Sequence, residues 1–180
     1  MYVSIATPTT ISNPVPPIVT ALDSPEKLEN KIKLVLTDGA HGLEGLANEY
    51  VIAGMGGELI ARIICECSFL KPDISFILQP MTKAEVLRKE LYKNGFRITA
   101  EKTAEEGDKL YVIIKAEYTG ISEEISDVFS YTGLCKDKKY LEKQKSILLK
   151  AAENCKGSAP DRYSVLFATA KEIEKIINEV

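Results

Sequence analysis

The sequence predicts an open α/β sheet, mostly parallel with an antiparallel edge, followed by an antiparallel helical hairpin. Three observations carry that prediction. Strand-like and helix-like apolar spacings alternate between residues 31 and 95, the pattern of strands joined by crossover helices. Two apolar runs then flank the acidic turn Glu105-Glu106-Gly107-Asp108, which reads as a hairpin closing one side of the sheet. Finally, two long stretches with helical spacing are separated by Gly157-Ser158-Ala159-Pro160, a connection so short that its helices must pack antiparallel. The division falls at residue 120, giving a sheet domain over 1–120 and a helical hairpin over 121–180.

Residues 1–20 hold no charge and four prolines, Pro8, Pro14, Pro16 and Pro17. Proline fixes its own φ and lacks a donor, so this stretch accommodates a short strand over 2–6 and otherwise irregular chain, up to a modest helix over 18–28. Ile32, Leu34 and Leu36 recur at every second position before Asp38-Gly39, a strand ending in a turn. A buried strand over 50–53 is closed by Gly54-Met55-Gly56-Gly57, and Leu59, Ile60, Ile63, Ile64 and Cys67 follow at helical spacing. The next strand, 74–78, stops at Gln79-Pro80. Residues 85–94 place Val86, Leu87 and Leu91 on one helical face, with Gly95 set to terminate the helix. Strands over 96–102 and 110–116 form the edge hairpin. The two final helices, 137–154 and 161 onward, carry Leu141, Ile147, Leu148 and Ala151, then Val165, Leu166, Ala170, Ile173, Ile176 and Ile177.

Composition narrows the function classes. With 180 residues, 45% of them hydrophobic, and a net charge of −3, the chain has too much apolar content and too little charge imbalance for disorder. No apolar run is long enough to cross a bilayer. The first basic residue is Lys27, so no secretory signal is expected, and a globular cytoplasmic protein without a membrane partner is. The single histidine, His41, excludes any site needing several imidazoles, and it is assigned no role. Cys65 and Cys67 stand two apart in a helical segment, with Cys135 and Cys155 elsewhere. Such spacing places neighbouring thiols on different faces, so four reduced structural thiols and no metal are expected.

Ligands of open α/β sheets bind beyond the carboxyl ends of the strands. Three such ends are polar or glycine-rich here: Thr37-Asp38-Gly39, Ala53-Gly54-Met55-Gly56-Gly57 and Gln79-Pro80-Met81. Glycines let a ligand approach the backbone closely, and the helix after Gly57 offers unpaired N–H groups. On the residues alone a structural reading stands beside each. A glycine-rich strand-to-helix turn serves packing about as often as binding, and Asp38 before Gly39 is also ordinary turn chemistry. Gly54-Met55-Gly56 is followed by Leu59 where a dinucleotide fingerprint has its third glycine or alanine.

The combination of Ile52-Ala53-Gly54-Met55-Gly56-Gly57-Glu58-Leu59-Ile60 with Ile77-Leu78-Gln79-Pro80-Met81, Leu87-Arg88, Asn94-Gly95-Phe96 and residues 109–116 resembles the bacterial tRNA (adenine-22-N1)-methyltransferase family. The resemblance covers residues 31–180, the terminal hairpin included. It implies an incomplete Rossmann-like sheet of the class I methyltransferase type, which binds S-adenosylmethionine, with a coiled-coil-like hairpin appended and tRNA as substrate. Carried over by position, Asp38 and Gly39 resemble the turn bordering the cofactor's adenine, with Thr37 in place of the family's first glycine. The resemblance implies that Ala53 lies against the cofactor and that Gly54, Met55, Gly56 and Gly57 form the catalytic loop beside the transferable methyl. Gln79 and Pro80 would form the neighbouring wall for the target base.

At the front, no Asp-x-Gly-x-Asp-His loop occurs. Residues 2–6 resemble the family's second strand, with Pro8 near the place of the ribose-binding acid. A chain truncated or divergent at its N-terminus is therefore expected, with strand edges that must be paired or covered, including by a second copy of the chain through a sheet edge or the hairpin. Between residues 136 and 156, seven lysines face three acids. Lys138, Lys139 and Lys143 in this strip are candidate phosphate contacts, although a basic strip is also the common form of a solvated helix face. A tRNA methyltransferase is the leading expectation. The alternatives are a catalytically deficient remnant that binds tRNA and an interaction module whose apolar hairpin captures a protein.

Overall fold

The computed structural model of the chain describes residues 2–5, 40 and 42–180. Ten elements follow in order: β1 (Tyr2–Ile5), β2 (Glu49–Gly56), α1 (Gly57–Cys65), β3 (Ser75–Thr82), α2 (Ala84–Lys93), β4 (Phe96–Glu106), β5 (Lys109–Tyr118), α3 (Asp127–Thr132), α4 (Lys138–Cys155) and α5 (Pro160–Glu179). The five strands form one sheet in the order β1-β2-β3-β5-β4. β1, β2 and β3 are parallel; β5 runs antiparallel to β3, and β4, antiparallel to β5 in turn, points the same way as the first three. The mostly parallel sheet with an antiparallel edge hairpin is therefore present. The expected helix over 18–28, the strand before Asp38-Gly39, and His41 lie outside the described residues.

Alternation along the strands builds the core. Tyr50, Ile52, Phe76, Leu78, Phe96, Ile98, Val112, Ile114 and Ala116 all point to the buried face, as a period of two requires. Ile60, Ile64, Leu87 and Leu91 from α1 and α2 close over them. Aromatic rings run through this layer: Tyr50 stacks on Phe76, and Phe76 and Tyr118 each meet the Phe96 ring edge to face. The Tyr50 hydroxyl donates to the carbonyls of Leu43 and Ala47, so its polar end is satisfied inside the core.

Several boundaries differ from expectation for local reasons. β2 runs on through Gly54 and Gly56, which were expected to end it, because Gly54 forms a bulge inside the strand. β3 likewise continues past Gln79-Pro80 to Thr82. The β3–β5 ladder stops at Leu78↔Ile114, two residues before Pro80, which has no N–H to donate. β4 extends to Glu106, leaving Gly107-Asp108 as a two-residue turn. α3 had no counterpart in the sequence reading; Ser126 caps it by accepting from the Phe129 N–H. Cys67 lies beyond the end of α1 rather than on it. All four cysteines are free, and burial pushes the Cys67 and Cys135 thiols up to about 12.

α4 and α5 form the expected antiparallel hairpin around Leu141, Leu148, Ala170, Ile173 and Ile177. One buried cluster fastens it to the sheet. The Arg88 side chain on α2 is fully enclosed, as is that of Glu101 on β4. Its Nε donates to Glu101 Oε1 at 2.8 Å, Nη1 to the carbonyls of Ser130 (2.8 Å) and Tyr131 (3.1 Å), and Nη2 to the Tyr140 hydroxyl at 2.9 Å. Burial opposes the charge, but Tyr140 and Glu101 outweigh it and raise the guanidinium above its ordinary range. Gly133, at φ +57°, passes so close that a β-carbon would strike the Glu101 carboxylate. Asp137 then caps α4, accepting from the Tyr140 N–H at 3.2 Å and the Thr103 hydroxyl at 2.6 Å. No helix among the described residues is long and apolar enough to cross a membrane.

Candidate active site

The carboxyl ends of β2 and β3 lie side by side, with Ala53 opposite Gln79, Met55 opposite Pro80 and Gly56 opposite Thr82. Gly54 therefore has no partner of its own on β3 and is the extra residue of a bulge. Its φ is +78°, a conformation glycine adopts without strain. Its N–H leaves the ladder and donates instead to Gln79 Oε1 at 2.9 Å, while Gln79 Nε2 reaches Met81 Sδ at 3.4 Å. Nothing among the described residues lies within 4 Å of a β-carbon built on Gly54. Among the described residues, the bend is open on its outer side.

The four loop residues expected to act together divide into two pairs. Gly54 is exposed and Gly56 half-buried at the edge, whereas Met55 is 3% exposed and packs into the sheet core. Gly57 is buried as well: a β-carbon there would collide with the Lys83 carbonyl and come within 3.1 Å of the Thr82 carbonyl. It is glycine because the start of α1 crosses the β3–α2 turn at contact distance. Ala53 and Gln79 share the face opposite the core and are half-buried; Pro80 is buried beside Met55. α1 begins at Gly57 with no side chain capping its first turn, so its N–H groups point out at the same edge. Asp38 and Gly39 lie outside the described residues.

Lys83 is the residue that sequence reasoning missed. It is the one non-glycine residue with positive φ among those described (+56°), a conformation that costs energy in a side-chain-bearing residue. It caps the β3–α2 turn, and its Nζ reaches Glu58 Oε1 at 2.7 Å. The ion pair ties the two loops of the edge together. Nothing in the local sequence signals it, since the strain is set by the turn's approach to Gly57.

Register places the lysines at this same edge. β5 runs antiparallel to β3, so the β4–β5 turn sits level with the carboxyl ends of β2 and β3. Lys139 Nζ meets both Glu105 oxygens at 2.8 and 3.1 Å, and Lys143 Nζ donates to the Leu110 carbonyl at 2.9 Å. These two lysines fasten α4 to the hairpin tip, and the hydrogen bond to Glu105 raises the Lys139 ammonium. Lys138 is exposed and makes no ion pair among the described residues. Away from the edge, a cavity of about 260 Å³ opens between α2, α3 and α5, lined by Val86, Lys89, Asp127, Tyr131, Val165 and Leu166 among others. Among the described residues no group of acids, cysteines or histidines could hold a metal ion.

Residues 13–114 match the family described as methyltransferase domain. Over 117 residues the chain is 35% identical to the tRNA (adenine(22)-N(1))-methyltransferase of Bacillus subtilis, which covers 59% of this chain and 49% of that protein. The chain thus spans about half the length of this curated relative. Among solved structures, a Streptococcus agalactiae protein of the NADB-Rossmann superfamily superposes with a TM-score of 0.66 at 24% identity, covering 84% of this chain and 70% of that one. Sp1610 of Streptococcus pneumoniae, in complex with S-adenosyl-L-methionine, gives 0.62 at 29% identity, covering 83% and 70%.

Proposed function

The chain belongs to the methyltransferase domain family, and from that membership we propose that it transfers a methyl group from S-adenosylmethionine to N1 of an adenine in tRNA. The observation that carries the reading is the Gly54 bend: a side-chain-free turn, open on its outer face, at the carboxyl edge of a Rossmann-like sheet. The similarity to a tRNA (adenine(22)-N(1))-methyltransferase supports the choice of substrate.

The space beside Gly54, where a β-carbon would meet nothing among the described residues within 4 Å, would take the methyl-bearing end of the cofactor. When bound, S-adenosylmethionine supplies a methyl already activated on a sulfonium, and the product base takes up the positive charge, so no proton has to leave. The task left to this chain is alignment and exclusion of water. Ala53 and Gly54 hold the cofactor side through backbone, and Gly56 keeps the edge narrow. Gln79 and Pro80 wall the base. Asp38, beside Gly39, would accept from the amino group of the cofactor's adenine. Adenine N1 lies on the pairing edge, so the target base must leave its stack and enter edge-on. Met55 and Gly57 act through packing behind the bend.

Lys138 contacts tRNA phosphate, with Lys139 and Lys143 exchanging their internal partners for phosphate as the RNA docks. A tRNA substrate implies a cytoplasmic protein. Self-association is assigned to the helical hairpin, which leaves Ile147, Leu149, Val165 and Phe167 exposed. The test is incubation with labelled S-adenosylmethionine and an unmodified tRNA transcript. Label incorporation, with a reverse-transcription stop at one adenine, is the expected result. No incorporation at high protein concentration would reject the reading.

A further inference from the structure

Gly54 depends on one side chain. The bulge removes its N–H from the β2–β3 ladder, and this donor needs another acceptor. Gln79 supplies the replacement acceptor at 2.9 Å. The other end of the same amide is held by the Met81 thioether at 3.4 Å, a weak acceptor, and together the two contacts settle which way the amide faces. A glycine at φ +78° without that bond would be free to leave the left-handed region, since glycine occupies both signs of φ with similar ease.

We propose that Gln79 is a positioning residue: its side-chain carbonyl fixes the Gly54 bend in the one conformation that admits base and donor together. The catalytic consequence rests on the function proposed above, whereas the hold on Gly54 is independent of it. A displacement of about 1 Å at a reacting centre can lower a rate on the order of 100-fold, so a loosened bend lowers turnover more than it weakens binding. Gln79 is half-buried and lies next to the bend it supports, close enough for its loss to act locally.

Two variants separate support from mere presence. Gln79→Leu removes the acceptor; Gln79→Glu keeps a carbonyl-like oxygen at the same reach. By amide exchange in the full chain, Gln79→Leu should speed exchange at Gly54 by about 10-fold, the equivalent of one net hydrogen bond. Exchange at Ile52 and Leu78 should hold, and Gln79→Glu should restore slow exchange at Gly54. In single-turnover transfer to tRNA at saturating protein, Gln79→Leu should lower the rate by roughly 10- to 100-fold, and Gln79→Glu should recover most of it. Unchanged Gly54 exchange in Gln79→Leu overturns the proposal, and so does a rate loss that Gln79→Glu fails to recover. A wild-type chain that transfers no methyl, while Gly54 exchange responds as described, rejects the proposed function and supports the hold of Gln79 on the bend.

Discussion

Replacing Arg88 by methionine removes the cation that joins α2, β4, α3 and α4. In its absence the Glu101 carboxyl, whose side chain has no solvent exposure, loses its cationic partner. The carbonyls of Ser130 and Tyr131 and the Tyr140 hydroxyl also lose their shared donor. Removing one partner of a buried ion pair costs about 3–5 kcal/mol, and the orphaned carbonyls keep the figure toward the upper end. Against a total stability of about 5–15 kcal/mol for a domain, the variant should lie near the edge of folding. The double variant Arg88→Met/Glu101→Leu should recover at least half the loss, because no charge is then stranded. The chain has no tryptophan, so urea unfolding followed by far-ultraviolet circular dichroism is the assay. A single-variant loss below about 1 kcal/mol, within the range of a surface pair, would refute the claim that this cluster holds the hairpin on the sheet. A double variant no more stable than the single one would refute the stranded-charge explanation.

Gly57→Ala forces a β-carbon into the Lys83 carbonyl and should cost about 1–3 kcal/mol, read as a lower thermal midpoint. Gly54→Ala meets open space but a positive φ, so its cost should be about 1–2 kcal/mol while methyl transfer falls far more steeply; equal losses of activity per unit of stability would contradict the division of the loop. Asp137 is held below the ordinary carboxylate range by the Thr103 hydroxyl and the α4 N–H of Tyr140. A depressed folded value stabilises above the unfolded pKa and loses that contribution as pH falls through the folded one. The stability gap between wild type and Asp137→Asn should therefore be full at neutral pH and close below about pH 4, and a gap independent of pH would count against this. Lys138→Gln should reduce the salt dependence of tRNA affinity by about 0.7–0.9 in log–log slope. Lys139→Gln should reduce it by a similar amount, since Lys139 gives up Glu105 for phosphate as the RNA docks, and a much smaller change would show that Lys139 keeps Glu105 on binding.

Alternation and helical spacing made the strands and helices of the sheet legible because one face of each is buried against the other. The boundaries at Gly54, Gly56 and Pro80 were misjudged for a common reason. Glycine and proline mark a break in regular hydrogen bonding, but sequence does not say whether the break ends a strand or makes a bulge within it. The loop motif located the edge, yet it could not divide Gly54, open and bent, from Gly57, pressed against the β3–α2 turn. That difference comes from residues 25 or more positions away. Lys139 and Lys143 read as free charge in sequence, whereas Glu105 and Leu110 engage them across the fold. Arg88 was visible as part of a motif, but its burial depends on α3, a six-residue helix with too few apolar positions to show a period.

The central claim is that cofactor and base meet at the Gly54 bend, and titrating isotope-labelled protein with S-adenosylmethionine tests it most directly. The backbone resonances of Ala53, Gly54 and Gly56, with the Gln79 side-chain amide, should shift together and saturably. Shifts confined to Val86, Tyr131 and Leu166 around the interhelical cavity, with the bend unmoved, would contradict it.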